Sequence, residues 1–135
     1  MDKTMKQART TVRHDSDAAF DKGLRAFFAY RDLGVASTTG GQFGAHVIRA
    51  VPGSGPKPEW HTHALGFQLV YVLRGWVVFE YADIGEVRLE TGSSVVQSPG
   101  VRHREVAHSE DLEMLEITSP AEFATSVIGE PNEQA

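Results

Sequence analysis

The chain has 135 residues, 41% of them hydrophobic, a formal charge of -5 and no cysteine. That is the length of one domain with enough apolar residues for one core. It excludes thiolate chemistry, cysteine-type zinc sites and disulfides, and an acidic chain whose Lys and Arg do not cluster makes a poor nucleic-acid surface. No apolar run approaches the roughly 20 residues of a membrane span, and the opening segment lacks the apolar stretch of a secretory signal. A cytoplasmic protein with neither nucleic acid nor membrane as partner is therefore expected.

In chain order, residues 1–17 are polar and aperiodic and read as an arm. Residues 18–122 read as one domain and 123–135 as a tail, partly helical or disordered. In "DAAFDKGLRAFFAYRDLGV" the stripe Phe20, Leu24, Phe27 and Phe28 fits a helix, while Ala26–Arg31 also fits a strand. A short helical turn followed by a strand is expected. "STTGGQ" is a turn, "FGAHVIRAV" a β-branched strand, and "PGSGPKPE" a loop rich in Pro and Gly. Strands then recur at short spacing: "GFQLVYVLRG", "WVVFEYA", "EVRLE", "SSVVQS", "HREVAH" and "DLEMLEITSP", divided by turns at Arg74-Gly75, "DIG", "TG" and "PG". Such a series predicts an all-β sandwich or barrel.

The chemistry concentrates in "EWHTHALGFQ". On a strand, residues i and i+2 share a face about 6–7 Å apart. His61 and His63 would then point the same way, close enough for two imidazoles to meet one ion. Gln68 lies five residues beyond His63, so alternation puts it on the opposite face unless a bulge or turn at Ala64-Leu65-Gly66 intervenes. A further ligand must come from another strand. His103, just after Pro99-Gly100, is the candidate, with His46 and His108 as alternatives; His108 reads as a loop residue.

These residues resemble the motifs of the cupins. Gly55, five residues, His61-Thr62-His63, four residues, Gln68, six residues and Gly75 reproduce the first motif's spacing. Gly92, Gly100 and His103 reproduce much of the second, with sixteen residues between Gly75 and Gly92. The second motif's proline is displaced, with Ser98 at the usual place and Pro99 beside the glycine, and Ala107 stands where the family has Asn. The resemblance implies an all-β fold, a cupin-type antiparallel barrel or jelly roll. It implies one divalent transition metal, Ni, Zn, Fe or Mn, held by His61, His63, Gln68 and His103. Gln68 replaces the family's Glu, and it can offer a carbonyl oxygen but no charge. Some cupins of pectin and uronate breakdown are similar in carrying His, His, Gln and His; the diketone-cleaving dioxygenases use three His alone.

Three functions are compatible with this fold, which hosts many. The first is proton-transfer chemistry (isomerase, lyase or tautomerase) on a small oxygenated metabolite such as a sugar acid or keto acid. The second is Fe(II)-dependent dioxygenation of a diketone-like substrate, and the third is binding of a small ligand without turnover. Glu105 shares the face of His103 in a regular strand and is the candidate general base. Arg49 is the candidate partner for a substrate carboxylate. Trp76, Phe79, Met114, Leu115 and Ile117 read as core, Tyr71 as core or interface, and Glu116 as edge-exposed. Small cupins often pair through their N-terminal strands, so a homodimer with Phe27-Phe28-Ala29-Tyr30 in its contact is expected.

Overall fold

The computed structural model describes residues 9–17, 19–22 and 27–129. Eleven short strands run through it: β1 (Asp21–Lys22), β2 (Phe28–Asp32), β3 (Gly44–Ala50), β4 (His61–His63), β5 (Phe67–Arg74), β6 (Trp76–Tyr81), β7 (Gly85–Glu90), β8 (Ser94–Val96), β9 (His103–His108), β10 (Glu113–Ser119) and β11 (Thr125–Val127). They form two antiparallel sheets, one in the order β1-β2-β3-β10-β5-β8 and the other β11-β4-β9-β6-β7. The chain is all-β as expected. Among the described residues the two sheets face each other as a jelly roll, and no backbone ladder closes them into a continuous barrel.

Alternation along each strand decides what lies between the sheets. Ile48, Val70, Val72 and Met114 of the six-stranded sheet meet Val77, Phe79, Tyr81 and Leu89 of the other, all buried. Phe79 and Met114 belong to this core as predicted. Leu115, Ile117 and Trp76 occupy the alternate positions on the outer faces and are only partly buried, and the Trp76 ring carries the Arg88 guanidinium 4.3 Å from its centre.

The N-terminal region departs from expectation. Asp21–Lys22 pairs antiparallel with Ala29–Tyr30, so this stretch is a strand and not a helical turn. Gly23–Ala26, including Leu24 of the helical stripe, lies outside the described residues. Phe27 and Phe28 are 4% and 6% exposed and pack into this chain's own core, where they touch the His108 ring. Their rings are therefore not a dimer contact. The first two residues of "STTGGQ" end a short helix, α1 (Val35–Thr38), and the rest is the turn. After Glu122, where a tail was expected, Thr125–Val127 pairs with β4 and the Ile128 N–H donates to the Trp60 carbonyl at 2.8 Å. No helix among the described residues is long and apolar enough to cross a membrane.

Candidate metal centre

His61 and His63 stand on β4 and His103 opens β9, its neighbour in the five-stranded sheet, with His61 directly opposite His103 in the ladder. Their ring centres lie 4.2–5.0 Å apart. One ring nitrogen from each lies within 4.8 Å of the others, a spacing that small ring movements close onto one ion with bonds near 2.1 Å. His46 and His108 do not join this cluster.

Each ring is held from behind. His61 Nδ1 donates to the Glu59 carbonyl at 2.8 Å and His103 Nδ1 to the Val101 carbonyl at 3.0 Å. A carbonyl only accepts, so both Nδ1 atoms carry the proton and both Nε2 lone pairs face forward. His63 Nδ1 meets the Thr125 hydroxyl at 2.8 Å. Outer partners of this kind fix ring orientation at metal sites. The donor set, three imidazoles with their backs anchored, fits a divalent transition metal.

Gln68 faces the histidines from the other sheet. Ala64-Leu65-Gly66 does more than bulge: it carries the chain from β4 across to β5, so the face rule within one strand no longer applies between His63 and Gln68. Gln68 is 4% exposed and lines the same cleft as the three histidines. Its Nε2 donates to Glu116 Oε2 at 2.8 Å, which turns its carbonyl oxygen away from Glu116. Glu116 is thus not edge-exposed: β10 is an inner strand between β3 and β5, and the Glu116 side chain points into the cleft. Burial raises its carboxyl above the usual carboxylate range, against the opposing effect of the Gln68 hydrogen bond.

Glu105 is 5% exposed and also lines the cleft. A register shift in the pairing of β6 with β9 changes the phase of β9 after Glu105: Phe79 pairs with Glu105, but Val78 pairs with Ala107 and Val77 with His108. His108 therefore turns inward beside Glu105, and its Nδ1 hydrogen-bonds to Glu105 Oε2. It is a strand residue and not the loop residue expected. Tyr81 stacks on His103 at 5.7 Å, and burial, with Asp83 adding to it, raises its phenol far above the ordinary value.

Arg49 does not belong to the site. Ile48 and Ala50 take the inward positions of β3, which leaves Arg49 exposed on the outer face with its guanidinium 3.7 Å above the Phe20 ring. The structure adds residues that sequence reasoning missed. Phe28, Tyr30, Gln97, Phe123 and Thr125 all line the cleft. Gln97 carried a usable signal, since alternation in "SSVVQS" puts it on the same face as Val95, which packs against the core, and its backbone N–H pairs with the Gln68 carbonyl. The cleft has a cavity volume of about 80 Å³, small beside the roughly 300–1,000 Å³ of drug-sized ligand sites.

The cupin domain model matches residues 47–118, just over half of the chain. No curated protein sequence matches the chain. Among solved structures, the polyketide cyclase RemF from Streptomyces resistomycificus is similar at 16% identity and a TM-score of 0.72, covering 90% of this chain and 87% of RemF. KdgF from Halomonas sp. is similar at 18% identity and a TM-score of 0.62, covering 81% of this chain and 94% of KdgF. Fe(II) HppE is similar at 17% identity and the same TM-score of 0.62; the match covers 81% of this chain but only 60% of that longer protein. At these identities the likeness is one of fold. The family model, the two facing sheets and the three clustered histidines agree, and the chain belongs to the cupin family.

Proposed function

We propose that this cupin is a metal-dependent enzyme that moves a proton on a small oxygenated molecule, in the manner of an isomerase, lyase or tautomerase. The observation that carries the reading is a buried carboxylate, Glu105, in the same cleft as three histidines whose outward nitrogens are already tied. His61, His63, His103 and the Gln68 carbonyl oxygen hold one divalent transition metal. When bound, the ion supplies Lewis acidity toward a substrate carbonyl or enediol oxygen. Glu105 takes the proton on its carboxylate, and His108, hydrogen-bonded to it, orients that carboxylate and offers it a partner in both protonation states. The core side chains around the cleft exclude water.

The test is exchange of substrate carbon-bound hydrogen with deuterium from solvent, followed by NMR with a panel of hydroxyketones. Glu105→Gln should slow exchange at least 100-fold, within the range a positioned base contributes, with metal content unchanged. Exchange at the native rate in Glu105→Gln contradicts the role. A second reading, an oxygen-using Fe(II) enzyme, is supported by the uncharged ligand set and by the fold shared with Fe(II) HppE. Substrate-dependent O₂ uptake with iron alone would select it.

The cytoplasm remains the proposed location, and self-association belongs to the outer face of the six-stranded sheet. There Phe67, Tyr71 and Leu73 of β5 and Val96 of β8 stand 39–62% exposed on one face, an apolar patch of the kind that marks an interface. The native chain should sediment as a dimer and the Tyr71→Lys, Leu73→Lys variant as a monomer. A native monomer contradicts the assignment.

A further inference from the structure

Gln97 is 5% exposed and lines the cleft, and its side-chain Nε2 has no hydrogen-bond partner. A buried amide donor left unpaired is costly, and native chains rarely keep one without a use. Gln97 stands beside Gln68 at the end of the β5–β8 ladder, on the wall that faces the histidines. The same wall holds Glu116, hydrogen-bonded to Gln68. Among the described residues lining the cleft there is no Lys or Arg. The arginines of the flanking strands point outward: Arg49 lies over Phe20, and Arg104 binds Glu80 at 2.8 Å and covers Trp60. The remaining lining is strongly aromatic, with Phe28, Tyr30, Phe79 and Phe123 around the space.

We infer that the cleft takes an uncharged, unsaturated or aromatic molecule bearing hydroxyl or carbonyl oxygens, with the Gln97 amide donating to one of those oxygens. This rests on the reading of the cleft as the substrate site and narrows it. A carboxylate or phosphate finds no basic side chain there; its one cationic partner is the ion of the proposed site, and an anionic group placed away from that ion meets the Glu105 and Glu116 side chains instead. A hydroxyl gives its proton to a carboxylate oxygen or accepts from Gln97. The aromatic rings cover the substrate's apolar body, and the few polar groups fix its orientation. The acid substrates expected from the sequence are thereby disfavoured: the cation expected to clamp them, Arg49, is on the outside of the sheet.

The test uses two probes that differ at one substituent, 1,3-dihydroxynaphthalene and 3-hydroxy-1-naphthoate. Each is titrated calorimetrically into full-length protein loaded with zinc, with metal content measured in parallel. The neutral diol should bind at least tenfold more tightly than the acid. Gln97→Leu and Gln97→Glu, the second keeping size and polarity while losing the neutral amide, should each weaken the diol about tenfold while melting temperature and zinc content hold. Equal affinity for the two probes, preference for the acid, or diol binding unchanged in both variants overturns the inference. A protein that takes up no zinc yet keeps the Gln97-dependent preference sinks the metalloenzyme reading and leaves this inference standing. Full zinc occupancy with preference for the acid does the reverse.

Discussion

At the scale of single residues, the pair Gln68 and Glu116 is the feature most particular to this chain. The family places a carboxylate at position 68. Here an amide stands there, and a carboxylate lies one strand away, hydrogen-bonded to it. Restoring Glu at 68 alone puts two carboxylates in contact, and such a pair shares one proton instead of presenting two charges. Gln68→Glu should therefore raise metal affinity only modestly, and Gln68→Glu with Glu116→Gln should raise it at least tenfold. Chelator competition measures both. Unchanged affinity in the double variant means that the side chain at 68 does not reach the ion. Strand spacing pairs His61 with His63 in the sequence, and the resemblance to the family motifs adds Gln68 and His103. It does not show Glu116, because one charged residue in an apolar strand reads the same whether it faces water or a polar cleft; strand order decides, and strand order is a long-range property.

At the scale of elements, two local irregularities build the site. Residues 64–66 carry the chain from one sheet to the other, so that Gln68 opposes the histidines it follows. The register shift in β9 turns His108 toward Glu105. The first was legible in the sequence as a glycine that breaks alternation. The second was not, since nothing in "HREVAH" marks an extra residue. Gly75 joins β5 to β6 with a φ of 76°, and a Cβ there would collide with Ser109 Oγ and approach Asp111 Oδ1 to 2.6 Å. Both the backbone angle and the space demand glycine. Gly75→Ala should cost on the order of 2–3 kcal/mol, at the upper end for strained backbone sites, read as a lower urea midpoint. A midpoint within error of native means that the turn relaxes.

At the scale of the molecule, the fold class and the strand series from Phe43 onward follow from turn residues and alternation, both local signals. The two ends do not. Thr125–Val127 is a three-residue strand whose only reason to be a strand is the open edge of β4, and it brings Thr125 to His63 and Phe123 to the cleft. In the sequence Phe27 and Phe28 look like an interface, because apolar residues near an edge look alike whether they cover a partner or their own core. The two sheets thus present a preorganised pair of walls, one carrying imidazoles and the other amides and a carboxylate, with aromatic rings between.

The most direct test of the central claim is elemental analysis of the anaerobically purified native protein beside the His61→Ala, His103→Ala variant, with both melting curves. The account predicts about one divalent transition metal per native chain, as for a single closed cluster of ligands, and its loss in a variant that still melts cooperatively. A folded variant that keeps the metal, or a native protein that takes up none after reconstitution with Zn, Ni, Mn or Fe, contradicts it.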